Sequence, residues 1–363
     1  MKTRFFALAA TAALLLNVAG LAIGDTHRAA ARNPQVSRLI SLLPASDAVV
    51  VFDAKRFLDD AMPRLLAANQ PMLTQITGKI GQIQTRTGID LHKFDQVVVG
   101  VSVKPGEGKD ADCDAVALAG GDINAGALVA MAKLASNGKY REEKIGGTTV
   151  YTFTLKDAVK TQPAKPAGNT QAKAGGTTQT TTSKLMHPIS AIKGMDTEVA
   201  VAALDGNTLA LGCPAKVRET IEAKTHVGSD LTDLLFARET AVMSFAAKTP
   251  AGMSRLLPVD NDDLGATVKS IQYMSGSVDV SAVGTSLQMM ARTTKPEQAA
   301  SLKDTLEALQ ILGKAALGNA KKADQQVFGR MVKNAKFAVN GNDVTLDLLV
   351  PQADIDILVA GIK

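Results

Sequence analysis

Few residues in this chain of 363 are of types that could do chemistry: two cysteines, four histidines, one aspartate run and a group of methionines. Cys113 and Cys213 lie far apart and form no C-x-x-C pair, so a redox-active dithiol is not expected. In an exported chain an even cysteine count predicts either a disulfide or two partly buried thiols. The strands predicted at Ala115–Ala119 and up to Leu211 would bring both cysteines to one sheet edge. A bridge there would close a loop of about 100 residues and contribute up to ~4.7 kcal/mol by chain entropy. His92 stands in GIDLHKFDQ between Asp90 and Asp95. A metal or acid–base site would need these carboxylates to converge on the ring, and nothing in the spacing enforces that. The stretch reads as a solvated loop with Asp90 as a cap or turn former. His27 adjoins an N-terminal cleavage site, His187 ends a flexible segment, and His226 sits near a helix end, where a positive charge suits the dipole.

The run Asp260-Asn261-Asp262-Asp263-Leu264-Gly265 invites a calcium reading. An EF-hand loop wants oxygen ligands at its fifth and twelfth positions. Leu264 and Ile271 stand there, so an Asp-rich helix start is expected instead. Met243, Met274, Met289, Met290 and Met331 would suit a copper site only if clustered, and at strand and helix positions they read as core fillers. No G-x-S-x-G, H-E-x-x-H, Walker A or G-x-G-x-x-G pattern is present. These readings give no catalytic residue, no cofactor and no metal, and point away from an enzyme.

The elements around these residues begin with a leader. Lys2 and Arg4 precede an apolar run from Phe5 to Ile23, and Ala22-Ile23-Gly24 is a small-x-small cleavage site. Residues 1–24 are therefore expected to be a signal peptide. The alternative is an uncleaved membrane anchor, since about 20 apolar residues span a bilayer. The expected location is periplasmic or secreted. Aromatics make up 4% of the chain and tryptophan is absent, which disfavours sites that stack on flat rings. Residues 156–194 carry six Lys and one Asp, matching the net +5 of the whole chain. The remainder is near neutral, so a basic nucleic-acid groove is not predicted.

Two stretches are nearly copies: AVVVFDAK at 48–55 and AVMSFAAK at 241–248. A shared order of elements extends the match. The first half reads strand 49–53, helices from 57 and from Pro71, strands 97–103 and 115–119, helix 123–136 after Asp122, and strand 148–155. A hairpin around Asp205-Gly206 and a Pro214-led helix close it. The second half reads strand 242–247, helix 256–269, strands 271–280 and 285–292, and a helix opened by Thr294-Lys295-Pro296-Glu297. A helix at 324–334, a hairpin around Asn340-Gly341 and a Pro351-led helix follow. This predicts an α+β fold of two pseudo-repeated units of mostly antiparallel sheet with packed helices, each with one βαβ crossover. One unit would leave apolar surface that the other covers. Residues 25–43 form a lead segment, 44–230 the first unit and 240–363 the second. Residues 157–195, rich in Thr, Gln, Gly, Pro and Lys, are an insertion expected to be disordered.

LLPASDAVVVFDAKRFLDDAMPRLLA, GIDLHKFDQVVVGV, TLALGCPAKVRETIEA and TKPEQAASLKDTL resemble an uncharacterised family of exported bacterial proteins, a domain of unknown function. The likeness spans most of the chain beyond the leader, and it implies export without assigning any site residue. The expected function is a non-enzymatic binding or interaction protein of the cell envelope. The alternative is a carrier of a lipid or other apolar ligand held between helices and sheet. The expected partner is thus an unknown protein or an apolar ligand, not nucleic acid, with membrane association if the N-terminal segment stays uncleaved.

Overall fold

The structure is a computed structural model, and it describes residues 33–104, 112–154, 198–235, 241–249 and 269–362. The predicted signal peptide, the insertion at 157–195, the Asp260 run and nearly all of the helix predicted from 256 lie outside the described residues.

The chain opens with α1 (Pro34–Leu42), β1 (Ala48–Asp53), α2 (Ala54–Arg56), a π-helical turn (Phe57–Ala61), α3 (Met62–Leu65) and α4 (Gln70–Thr87). After a 3-10 turn (Leu91–Lys93) come β2 (Phe94–Lys104), β3 (Asp112–Gly121), α5 (Ala125–Ala135), β4 (Tyr140–Ile145) and β5 (Thr148–Thr154). The first half ends with β6 (Glu198–Asp205), β7 (Thr208–Gly212), α6 (Pro214–Glu222) and α7 (Ser229–Leu235). The second half holds β8 (Met243–Lys248), β9 (Ile271–Ser281), β10 (Gly284–Thr293), α8 (Pro296–Leu317) and α9 (Ala323–Asn334). It finishes with β11 (Lys336–Asn340), β12 (Asp343–Pro351) and α10 (Gln352–Ala360).

Among the described residues, twelve strands form one sheet in the order β11-β12-β10-β9-β8-β1-β2-β3-β7-β6-β5-β4, and every neighbouring pair is antiparallel. The fold class is α+β, as the sequence predicts. The two near-copies in the sequence, β1 and β8, lie side by side at the centre, with Ala48 opposite Ala247 and Phe52 opposite Met243. Outward from that join the halves mirror each other. β1, β2, β3, β7 and β6 correspond to β8, β9, β10, β12 and β11, and the hairpin β4–β5 extends the first half only. The chain crosses through α5 from β3 to β4, and through α8 and α9 from β10 to β11. Each crossover joins strands that run the same way but have others inserted between them.

Alternation along the strands splits the core. Val49, Val98, Val116, Leu118, Ala202 and Ala210 face one side, where Leu39 and Leu43 at α1, Val217 of α6, and Leu231 and Leu235 of α7 cover them. On the other side Leu287, Leu348 and Val350 are covered by Val327 and Met331 of α9 and by Ile355 of α10. Helices of the first half also roof strands of the second. Phe52, Phe57, Ala61 and Leu65 pack with Val242 and Val280. The Arg56 guanidinium pairs with Asp279 at 2.5 Å and donates to the Val280 carbonyl at 3.2 Å.

Three elements are absent from the sequence expectation. α1 arises in the lead segment, capped by Asn33, whose side chain accepts from Gln35 N at 3.0 Å. β4, reading YREEKI, has four exposed charged residues on the outermost strand. α7 falls where the join between units is expected, yet Leu231 and Leu235 are fully buried there.

The join is tight. A Cβ on Gly276 of β9 would stand 2.7 Å from the Phe245 ring and 2.8 Å from the Gln288 carbonyl. The aromatic ring lies across the bare backbone, as at other sheet glycines. Gly276→Val should therefore cost about 2 kcal/mol by overpacking. Urea unfolding should show a lower midpoint with an unchanged slope, and an unchanged midpoint would contradict this packing.

Candidate ligand-binding cleft

Among the described residues, a concavity lies where the end of α4 meets the start of α5. α4 is set at its first turn by Asn69, whose side-chain oxygen accepts from Met72 N at 3.1 Å. Its amide donates to the carbonyls of Val359 and Ile362 at 3.0 and 3.1 Å, tying the helix start to the end of α10. Gly88, at φ +71°, closes the far end with a bond from its N–H to the Gln84 carbonyl at 2.7 Å. Met72, Leu73, Ile76, Ile80 and Ile83 lie on one stripe by helical spacing. None is fully buried, and Ile83 is 40% exposed. α4 thus spans the space between α10 and α5 without sealing it.

α5 starts where Asn124 accepts from Ala127 N at 2.9 Å and where Ala125 N donates to the Gly206 carbonyl at 3.0 Å. Its later turns are held by Val129 against Phe153 and Val201. Lys133 lies over the Tyr151 and Tyr140 rings, at 4.4 and 5.1 Å from their centroids. With α5 fixed in this way, Ile123, Leu128 and Met131 join Ile89 and Phe94 around a cleft of about 400 Å³. Gln84, Asp90, Lys93, Asp122 and Asn124 supply its polar lining. Lys93 and Asp122 pair at 3.5 Å with both side chains well exposed, an ion pair too solvated to hold the site shut. Large apolar and polar side chains line it in about equal number, and its volume lies in the range of small-molecule sites.

The residues singled out in the sequence do not converge. His92 Nδ1 is 2.6 Å from Asp59 Oδ1, while Asp90 accepts from the His92 backbone N at 3.0 Å and Asp95 lies 3.9 Å from Lys55. The loop is exposed and Asp90 is a cap, as expected. Among the described residues no group of three or more His, Cys, Asp or Glu is arranged to hold a metal ion. Met289 packs into one core and Met290 into the other, on opposite faces of β10. His226 is exposed, and His27, His187 and the Asp260 run lie outside the described residues. Cys213 is buried, its N–H donates to the Ala115 carbonyl at 2.9 Å, and its Sγ accepts from Ala115 N at 3.4 Å. Cys113 is on β3 two residues before Ala115, and its side chain is outside the described residues.

No family model and no curated protein matches this chain. That accords with its resemblance to a family of unknown function. Three crystal forms of TP0453 are similar in layout. Crystal form IV has 8% identity and a TM-score of 0.41 over 89% of this chain and 96% of that one. Form III has 7% and 0.42 over 89% and 98%, and form I has 9% and 0.39 over 91% and 98%. The likeness is too loose to relate one site to another.

A second polar cluster lies across the join. Asp230 of α7 accepts from the Tyr273 hydroxyl and from Lys248 Nζ, both at 3.0 Å. Partial burial pushes the Asp230 carboxyl up, but bonds from Lys248 and Tyr273 outweigh it and hold the group below its ordinary value. Its bond to Asp230 raises Lys248 above the ordinary amine value, and the same carboxylate raises the Tyr273 hydroxyl. A catalytic lysine needs the opposite shift, so this is a clasp holding α7 to β8 and β9. A depressed carboxyl contributes stability above its unfolded value of 3.8 that is lost as pH falls through the folded one. Asp230→Asn should therefore be less stable than the parent from about pH 5 to 9, with the difference closing below pH ~4. Urea titrations from neutral to acid pH test it, and a difference that does not shrink as pH falls below 3.8 would contradict the clasp.

Proposed function

We propose that this chain is an exported, non-enzymatic binding protein of the cell envelope, and that its ligand is apolar and sits in the cleft between α4 and α5. The observation that carries this reading is the cleft itself: Ile89, Phe94, Ile123, Leu128 and Met131 share its lining with Gln84, Asp90, Lys93, Asp122 and Asn124. The incompletely covered stripe of α4 supports it, because a tail longer than the cleft would have apolar side chains to lie along. The polar groups of the lining suit a ligand with a polar end. The leader motif at residues 1–24 supports export. Export would also favour a Cys113–Cys213 bridge. By register the two are diagonal rather than directly opposite, and such neighbours sit about 7–8 Å apart. A bridge would therefore draw the ends of β3 and β7 slightly together.

The reading is tested by native mass spectrometry of protein taken from the exporting cell and by titration with a fluorescent fatty-acid analogue. A bound lipid-sized mass and saturable binding are expected. Leu128→Asp places a charge among the apolar side chains, and Ala127→Trp fills the space without adding charge. Both should weaken the analogue about tenfold or more, with far-UV circular dichroism unchanged. Repeated empty spectra, or binding that neither variant alters, would overturn the carrier reading.

A further inference from the structure

We propose that the C-terminal half of α8 and the turn after it dock on a bilayer surface containing anionic lipid. The feature is independent of the cleft. α8 is 22 residues long, but only Ala299 and Leu302 in its first turns are fully buried. Gly313 and Leu317 then turn toward α9, where Gly313 meets Val332 and Leu317 meets Gly329. Gln310 donates to the carbonyls of Val332 and Ala335, both at 2.7 Å. These contacts fix which way the helix faces. The outward side carries Ile311 and Leu312, each 65% exposed, with Leu309 at 49%. Exposed Ala308, Ala315 and Ala316 fill the space between them.

Large apolar side chains exposed together mark a contact surface. The charge around them identifies the occupant. From Ala308 to Asp324 the chain has Lys314, Lys321 and Lys322 against one acidic residue, Asp324, a local net of +2. Asp304 and Glu307 lie earlier on the helix, the latter paired with Lys303 at 2.7 Å. An apolar helix face next to unpaired lysines is the pattern of a helix lying in a lipid–water interface. Among the described residues no helix is long and apolar enough to cross a membrane, so the contact proposed is with the surface. Each lysine near an anionic surface contributes about fivefold to partitioning.

The test is co-sedimentation of the full chain with phosphatidylcholine vesicles, with and without phosphatidylglycerol. The parent should bind the anionic vesicles, less so as salt rises. Lys321→Gln with Lys322→Gln should weaken that binding roughly 25-fold and leave neutral vesicles unaffected. Ile311→Asp with Leu312→Asp should weaken it roughly tenfold or more on both, with the melting temperature unchanged because both side chains are solvent-exposed. Leu128→Asp should have no effect, which separates this surface from the cleft. Binding that survives both pairs of changes would overturn the proposal, including binding through the N-terminal apolar run. Light scattering that shows a dimer lost in the Ile311/Leu312 variant, without vesicle binding by the parent, would overturn it in favour of a second copy.

Discussion

The antiparallel pairing of β1 with β8 is the constraint on which the rest of the molecule depends. A half ending at either strand would present a bare row of backbone donors and acceptors, an edge that invites foreign strands. Pairing the two removes both edges at once and makes a single sheet from end to end. It also brings the first-half π-helical turn and α3 over second-half strands, where Phe57, Ala61 and Leu65 find Val280. Arg56 reaches Asp279 across the same junction. The Asp230 clasp and the tether from Asn69 to α10 are further bonds of this kind, each with one partner in either half. The halves are therefore joined by main chain, packing and charge, and cannot be treated as beads on a linker.

Unequal additions to the two halves give them unequal surfaces. The first half has the extra hairpin β4–β5, and Phe153 and Tyr151 of that hairpin help to hold α5 in place. α5 rests chiefly on β6, and the hairpin rings add to that seat behind the cleft. In the second half, two helices connect β10 to β11. The first, α8, packs its later turns on α9, where Gly313 meets Val332 and Leu317 meets Gly329. Ile311 and Leu312 are left in solvent because they face away from α9.

Much of this layout was legible in the sequence, because its strongest signals are local. Asp205-Gly206 and Asn340-Gly341 turn hairpins, Pro214 opens a helix and Pro351 caps one, and the repeated octapeptide marks the strands that meet. β4 was missed because YREEKI has charges where a buried strand would have apolar residues, as befits a strand with a neighbour on one side only. α7 was missed because its short apolar pattern resembles a linker until Leu231 and Leu235 find the core. The stripe on α4 was read correctly as helical, but periodicity does not report how closely a helix will be covered. The cleft was not legible at all. Its walls come from positions 84–94 and 122–131, and their approach is set by strand order and by the seating of α5 on β5 and β6.

The sheet has two outer borders, and they are unlike. One is β4, where Arg141, Glu142, Glu143 and Lys144 stand exposed on the last strand. The other is β11, five residues long and begun by a lysine. A neighbouring molecule offering its own border would meet mixed charge at one end and a stub at the other. Neither is a ready template for a thirteenth strand.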